Sequence, residues 1–328
     1  MKDNYGRIID YLRISLTDRC NFRCRYCMPP EGVEMMEHKE ILTLEEIVRL
    51  AEISAGLGVS KVRLTGGEPL VRKGVVDLIR RISSIHGIGN ISMTTNGFFL
   101  EEMAEDLKKS GLTSLNVSLD TVSREKFKTI TRCDGLEQVL RGISAAKEAG
   151  FNPIKINAVA LRGFNDDEII SLADYAVKEG LLLRFIEQMP FDLNHESSFM
   201  AAAEIIEMLC EKHGEIEALE YGKRILSAGS GPASLYRYKK SGLITGFITP
   251  VSNHFCGSCN RLRVTSDGKL KPCLLSADEI DLRVQLRNGS SDESIRERLI
   301  SAIGLKPESH ELHKHRFGSE RGMSKIGG

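Results

Sequence analysis

A chain of 328 residues with 41% hydrophobic content is long enough to bury one large core or two moderate ones. Its 45 Lys plus Arg balance 45 Asp plus Glu, so net charge gives no pull toward nucleic acid or a membrane, and an anion site must be a local cluster of cations. No apolar run approaches membrane-span length, and the opening Met1-Lys2-Asp3-Asn4-Tyr5 is not an apolar leader. The expectation is a cytoplasmic protein whose eight cysteines stay reduced and act as metal ligands, redox residues or small buried hydrophobes.

In chain order, the apolar run 11–16 reads as a strand with Arg13 inside it. It leads into Cys20-Asn21-Phe22-Arg23-Cys24-Arg25-Tyr26-Cys27. Three thiolates at this spacing face one point only if the backbone curls into a loop. A structural zinc site needs a fourth ligand from elsewhere, and no Cys or His stands near enough to complete it locally. A disulfide framework would suit an exported chain, which nothing here suggests. A [4Fe–4S] cubane held by three thiolates fits better and keeps one iron open to a small molecule.

Thr43-Leu44-Glu45-Glu46 has the form of a capping box, and Ile47, Leu50, Ala51 and Ser54 continue at helical spacing. The segment 59–64 reads as a strand carrying Arg63 and running into Thr65-Gly66-Gly67-Glu68-Pro69. The order then repeats: helices over 74–85, 100–109, 136–149 and 166–178 alternate with strands over 91–94, 114–119, 154–160 and 181–186. Six strands in alternation with helices predict a parallel sheet covered by helices, and the pattern fits a doubly wound sheet and a curved, incomplete barrel equally. Polar residues and glycines gather where these strands end, at Gly66 and Gly67, Thr94 to Gly97, and Ser118 and Asp120, with Lys155 inside the fifth strand and Met189 following the sixth. In parallel barrels the chemistry sits at such C-terminal ends.

Beyond Met189 the pattern changes. A helix is predicted over 201–212, with Cys210 as a buried hydrophobe, and the polar run from 214 marks a boundary between units 1–213 and 214–328. Strands over 234–238 and 243–249 belong to a smaller second unit. That unit holds Cys256-Gly257-Ser258-Cys259 and, thirteen residues on, Cys273. Zinc again lacks a fourth ligand, a redox dithiol would not need Cys273, and a second three-thiolate cluster accounts for all three. Asn260-Arg261-Leu262-Arg263 follows, and strand alternation puts both guanidinium groups on one face. The chain ends on Gly327-Gly328.

The Cys20–Cys27 stretch, extended by Leu12-Arg13-Ile14-Ser15, Asp18-Arg19 and Met28-Pro29, resembles the cluster motif of the radical S-adenosylmethionine enzymes. Together with the second cysteine triad and the Gly-Gly end, it resembles their GTP 3′,8-cyclase branch over the whole chain. The resemblance implies an α/β fold, an incomplete six-unit (β/α) barrel with a smaller C-terminal domain carrying a second iron–sulfur cluster. It implies a lyase that cleaves S-adenosylmethionine at the cluster of Cys20, Cys24 and Cys27, and uses the resulting radical to cyclise GTP at the start of molybdenum cofactor biosynthesis. GTP would sit on the cluster of Cys256, Cys259 and Cys273. Tyr26, Gly67, Ser118 and Met189 match cofactor-binding positions. Arg13, Arg63, Thr94, Lys155, Arg261, Leu262 and Arg263 match GTP-binding positions. Arg261, Arg263, Gly327 and Gly328 match positions needed for catalysis, the double glycine threading back into the active site. Implied partners are a low-potential flavodoxin- or ferredoxin-type electron donor, a downstream enzyme forming cyclic pyranopterin and a second copy of the chain, with no nucleic acid and no membrane. Asp192-Leu193-Asn194-His195 departs from the family pattern, which has glycine at the middle position and often a tryptophan soon after; this chain has no Trp. Rival readings are a peptide-modifying radical enzyme, which usually carries more cysteines, an iron–sulfur electron carrier, which normally ligates every iron, and a zinc-dependent nucleic-acid binder, against which the neutral charge balance argues.

Overall fold

The computed structural model describes residues 1–189, 198–219, 231–310 and 326–327. The expectations for the 192–195 loop and for Gly328 lie outside the described residues.

Six strands alternate with helices through the first half of the chain. They are β1 (Tyr11–Ser15), β2 (Lys61–Thr65), β3 (Asn90–Thr95), β4 (Ser114–Ser118), β5 (Lys155–Ala160) and β6 (Leu182–Glu187). They pair in parallel and in sequence order, as in a parallel barrel. The intervening helices are α1 (Leu44–Gly56), α2 (Val75–Ser83), α3 (Leu100–Lys109), α4 (Arg124–Thr131), α5 (Leu136–Glu148) and α6 (Ile169–Glu179). Side chains alternate across each strand, so every strand has two faces of different chemistry. Leu12, Ile14, Val62, Leu64, Met93, Leu115 and Val117 are buried in the apolar core shared with the helices. Each such side chain removed from water contributes about 1.5–3 kcal/mol. The opposite face carries Arg13, Arg63, Thr94, Asn116, Asn157 and Arg184, which line a cavity.

The predicted capping box of α1 is present: Thr43 Oγ1 accepts from the Glu46 N–H at 3.1 Å, and the Glu46 carboxylate accepts from the Thr43 N–H at 2.7 Å. The remaining elements are α7 (Ala202–His213), β7 (Ile216–Leu219), β8 (Ser234–Tyr238), β9 (Ile244–Ile248), β10 (Arg261–Val264), β11 (Lys269–Lys271), β12 (Ile280–Asp281), α8 (Arg283–Arg287) and α9 (Asp292–Gly304). The strands after residue 214 extend the same sheet at both edges. β9 pairs in parallel with β6 and carries β8 and β7, while β10 pairs in parallel with β1 and carries β11 and β12. β12 and β7 are the two sheet edges, so the barrel is incomplete.

Several elements fall outside the sequence expectation. α4 is eight residues long with only Phe127, Ile130 and Thr131 buried, too little for a periodic signal. β7 lies where a polar linker is predicted; as an edge strand its side chains stay half-buried or exposed, so it lacks an apolar pattern. β11 and β12 are two or three residues long. α9 does carry a signal, with Ile295, Leu299, Ala302 and Ile303 buried at helical spacing behind the Ser291 cap. Among the described residues no helix is long and apolar enough to cross a membrane.

Candidate active site

The parallel register decides what meets in the cavity. Arg13 of β1 stands between Arg63 of β2 and Arg263 of β10, in register with both. Tyr11, one step lower, pairs with Arg261. Four arginines from three strands therefore share one face, and Arg184 joins them from β6 in lining a cavity of about 320 Å³. Arg63 donates to the Tyr11 hydroxyl through Nε and to Thr94 Oγ1 at 3.1 Å. Burial opposes ionisation of the Tyr11 phenol, but Arg63 and then Arg13 outweigh it and bring its pKa down to about 8. Burial, then Arg263, pulls the Arg13 guanidinium well below its ordinary value; burial and Arg261 bring Arg263 to about 10. Lys155 is buried beside this row, and burial followed by Arg184 and Arg63 lowers its ammonium to about 7. The two carboxylates of the lining are taken by protein donors. Asp120 accepts from Tyr26 Oη at 2.7 Å and the Val159 N–H at 2.8 Å; Glu187 accepts from the backbone of Ala202, Val251 and Ser252. The site thus concentrates cations that a polyanion would pair with, by bidentate contacts where arginine supplies them.

Cys20, Cys24 and Cys27 line the same cavity beyond the end of β1. Their loop is held from α4, which the sequence pattern does not reveal. The Arg23 and Arg25 N–H groups donate to the carbonyls of Thr131 and Ile130, and Arg132 Nη1 donates to the carbonyls of Arg23 and Met28 at 2.7 and 3.0 Å. Phe22 anchors the loop edge-on between Phe98 and Phe127. Burial, then Asp120 and the neighbouring thiols, raises Cys24 well above the ordinary thiol value, and burial and Cys20 push Cys27 up to about 12. Three thiolates here need cations brought to them, which suits the irons of a cluster.

The second triad is built differently. Cys256 and Cys259 flank a 3₁₀ turn just before β10, and Cys273 follows β11. Burial raises the Cys259 thiol, but Arg261 and Lys306 outweigh it and bring its pKa to about 6, so thiolate is favoured. These thiols do not themselves line the cavity; their neighbours Phe255, Arg261 and Leu274 do. All eight cysteines are free. Among the described residues no three His, Cys, Asp or Glu side chains are grouped as ligands of one metal ion. A cubane makes a different demand, since each thiolate takes its own iron.

Of the remaining predicted residues, Tyr26, Gly67, Ser118 and Met189 line the cavity near the first triad. A Cβ on Gly67 would stand 2.6 Å from the Arg19 carbonyl carbon and 2.8 Å from Asp18 O, so only glycine lets the end of β2 meet the cysteine loop. Thr94, Arg261 and Arg263 line the cavity; Leu262 points away and is buried in the apolar core. Gly327 lies against Ser15 and Thr65 at the ends of β1 and β2, and its carbonyl accepts from Arg263 Nη1 at 3.3 Å.

Sequence reasoning does not find Tyr11, Arg184, Asn116 and Asn157, although three of them are polar residues inside apolar strands, the same signal that marks Arg13. Glu68 is fully buried: its carboxylate accepts from Thr95 Oγ1, the Asn96 N–H and the Leu70 N–H, tying the ends of β2 and β3.

Residues 14–176 match the Radical SAM superfamily and residues 181–312 match Molybdenum Cofactor Synthesis C. The chain is 46% identical to a GTP 3′,8-cyclase of Thermodesulfovibrio yellowstonii and 48% identical to one of Alkaliphilus metalliredigens, each covering 100% of both chains. The chain belongs to the GTP 3′,8-cyclase family. Its fold is also that of Streptococcus suis SuiB, solved bound to the precursor peptide SuiA, with a TM-score of 0.62 at 15% identity over 98% of this chain and 76% of that one. At that identity the likeness bears on fold alone. The two matched regions meet in this structure across one continuous sheet, with β6 of the second paired to β5 of the first.

Proposed function

We propose that this chain is a GTP 3′,8-cyclase, a radical S-adenosylmethionine lyase that converts GTP to (8S)-3′,8-cyclo-7,8-dihydroguanosine 5′-triphosphate in the first step of molybdenum cofactor biosynthesis. The observation that carries the reading is the in-register row Arg263–Arg13–Arg63 within one cavity, with one cysteine triad at its lining and the other just behind it, in a chain related to the cyclases over its full length. Cys20, Cys24 and Cys27 would hold one [4Fe–4S] cluster, and Cys256, Cys259 and Cys273 the other. Tyr26, Gly67, Ser118 and Met189 would receive S-adenosylmethionine. With S-adenosylmethionine bound, the first cluster supplies the radical chemistry.

The chain's own work is to position and to shield. Arg13, Arg63, Thr94 and Lys155 would bind the triphosphate and ribose. Arg261 and Arg263, with the backbone at Leu262, would hold the nucleotide beside the second triad, and the Gly327-Gly328 end would close on Arg263. The walls of β1 to β6 exclude water, so the reacting carbon is held near its partner instead of finding it by diffusion. Residues 1–213 would carry the radical step and the triphosphate and ribose contacts, and residues 214–328 the second triad and the remaining substrate contacts. A low-potential flavodoxin- or ferredoxin-type donor supplies electrons, a pyranopterin-forming enzyme takes the product, and the protein works in the cytoplasm as a homodimer.

The test is the Arg261→Ala, Arg263→Ala double variant. GTP affinity should fall by about tenfold or more for each lost charge-assisted contact, while uncoupled cleavage of S-adenosylmethionine persists. Unchanged GTP affinity would remove these residues from the substrate site.

A further inference from the structure

Behind the second cysteine triad runs a short strap, 306–308, just past the end of α9. Lys306 is buried, and its ammonium has three acceptors: the carbonyls of Arg261 and Pro272, both at 2.9 Å, and Cys259 Sγ at 3.5 Å. An ammonium has three N–H donors, so the set is complete. The acceptors belong to two chain segments 11 to 13 residues apart. One carries Cys259, and the other ends on Pro272, next to Cys273.

The strap is itself held. Arg7 pairs with Asp3 and donates to the carbonyls of Pro307 and Glu308 at 2.7 and 3.0 Å and to that of Cys256 at 2.8 Å. The N-terminal hook and the strap together thus reach the backbone around every thiol of the triad. None of the motifs that mark this chain includes Lys306.

We propose that Lys306 is a positioning residue for the second cluster. Its ammonium fixes the Cys259 arm against the Cys273 arm and balances thiolate charge at Cys259 Sγ. The inference rests on the reading of this triad as a [4Fe–4S] site. A fixed positive charge beside a cluster favours its reduced, more negative state, so Lys306 also raises the reduction potential there.

The test compares Lys306→Gln, which keeps an N–H donor and loses the charge, with Lys306→Arg, which keeps the charge. Full-length, reconstituted protein is studied anaerobically. In Lys306→Gln, iron of the second cluster should pass to a chelator about tenfold or more faster, as loss of an outer-shell partner generally causes. Its midpoint potential, followed by electron paramagnetic resonance, should move negative, and Lys306→Arg should restore it. The first cluster and its cleavage of S-adenosylmethionine should match wild type. Wild-type release and potential in Lys306→Gln would overturn the proposal, as would equal loss from both clusters, which would mean general destabilisation. Zinc, or no cluster, at this triad in the wild type would overturn the underlying site reading instead, before any variant is made.

Discussion

Replacing Gly67 with alanine tests how the cofactor end of the site is assembled. The added methyl would stand 2.6 Å from the Arg19 carbonyl carbon and 2.8 Å from Asp18 O, and nearer still to the Arg19 carbonyl oxygen. Carbon atoms in favourable contact sit about 3.5–4.0 Å apart, so the overlap is near 1 Å. The obstacles are main-chain atoms, which cannot rotate away. They are also bonded in place, since the Gly67 N–H donates to Thr17 O at 2.7 Å and the Glu68 N–H to Arg19 O at 2.8 Å. Overpacking typically costs about 1–3 kcal/mol even where side chains can yield. Here the end of β2 must part from the chain entering Cys20, and a displacement of about 1 Å is enough to cost about a hundredfold in a positioned reaction. The assay is equilibrium binding of S-adenosylmethionine to reconstituted protein, with iron quantitation. Gly67→Ala should lose at least tenfold in affinity and part of its first-cluster iron. Gly89→Ala is the control, because it lies outside both cysteine loops and nothing lies within 4 Å of its added Cβ, and it should behave as wild type. Wild-type affinity in Gly67→Ala would refute the close-approach argument.

Gly327→Ala should lower turnover about tenfold or more with both clusters retained, because its φ is +80° and its Cβ would fall 2.6 Å from Thr65 Oγ1; unchanged turnover would separate the tail from catalysis. Lys155, lowered to about 7, is largely neutral in the free protein near pH 8, and a triphosphate beside it would raise its pKa. GTP binding should therefore take up a proton, seen as a binding heat that varies with buffer ionisation, and affinity should weaken as pH rises; Lys155→Met should abolish the proton uptake. Burial raises the Glu68 carboxyl from 4.5 to about 7 in the fold, so its stabilising contribution is complete below about 4.5 and is lost as pH rises through about 7. The melting temperature of cluster-free protein should accordingly fall relative to Glu68→Gln between about pH 5 and pH 8, and a constant difference would contradict the assigned burial effect.

Much of the site is legible because its residues interrupt a period. Arg13, Arg63 and Lys155 stand out as charges inside apolar strands, and the two cysteine triads and the Gly-Gly turn stand out by local spacing alone. Arg184, Asn116 and Asn157 break the same pattern and could have been read the same way. α4 could not, since eight residues with three buried positions give no period, yet it holds the first cysteine loop. Lys306 was equally silent, because a single lysine in a short coil has no local signal, and its partners lie 34 to 47 residues away in the chain.

The alternation of strands and helices, the polar strand faces and the thiol spacing follow from local chemistry, and they give a parallel α/β sheet and two three-thiolate sites; the incomplete barrel and the relationship to radical enzymes come from the resemblance of the cysteine motifs. Register is another matter. That Arg263 falls beside Arg13, and Arg13 beside Arg63, depends on β10 docking in parallel onto β1 across some 250 residues of chain. A slip of one residue would turn each guanidinium from the cavity into the apolar core. Burial of the other face, Leu12, Ile14, Leu262 and Val264 against the helices, selects the register together with the Asn260–Asp10 hydrogen bond at the foot of the pair, and both are properties of the assembled sheet.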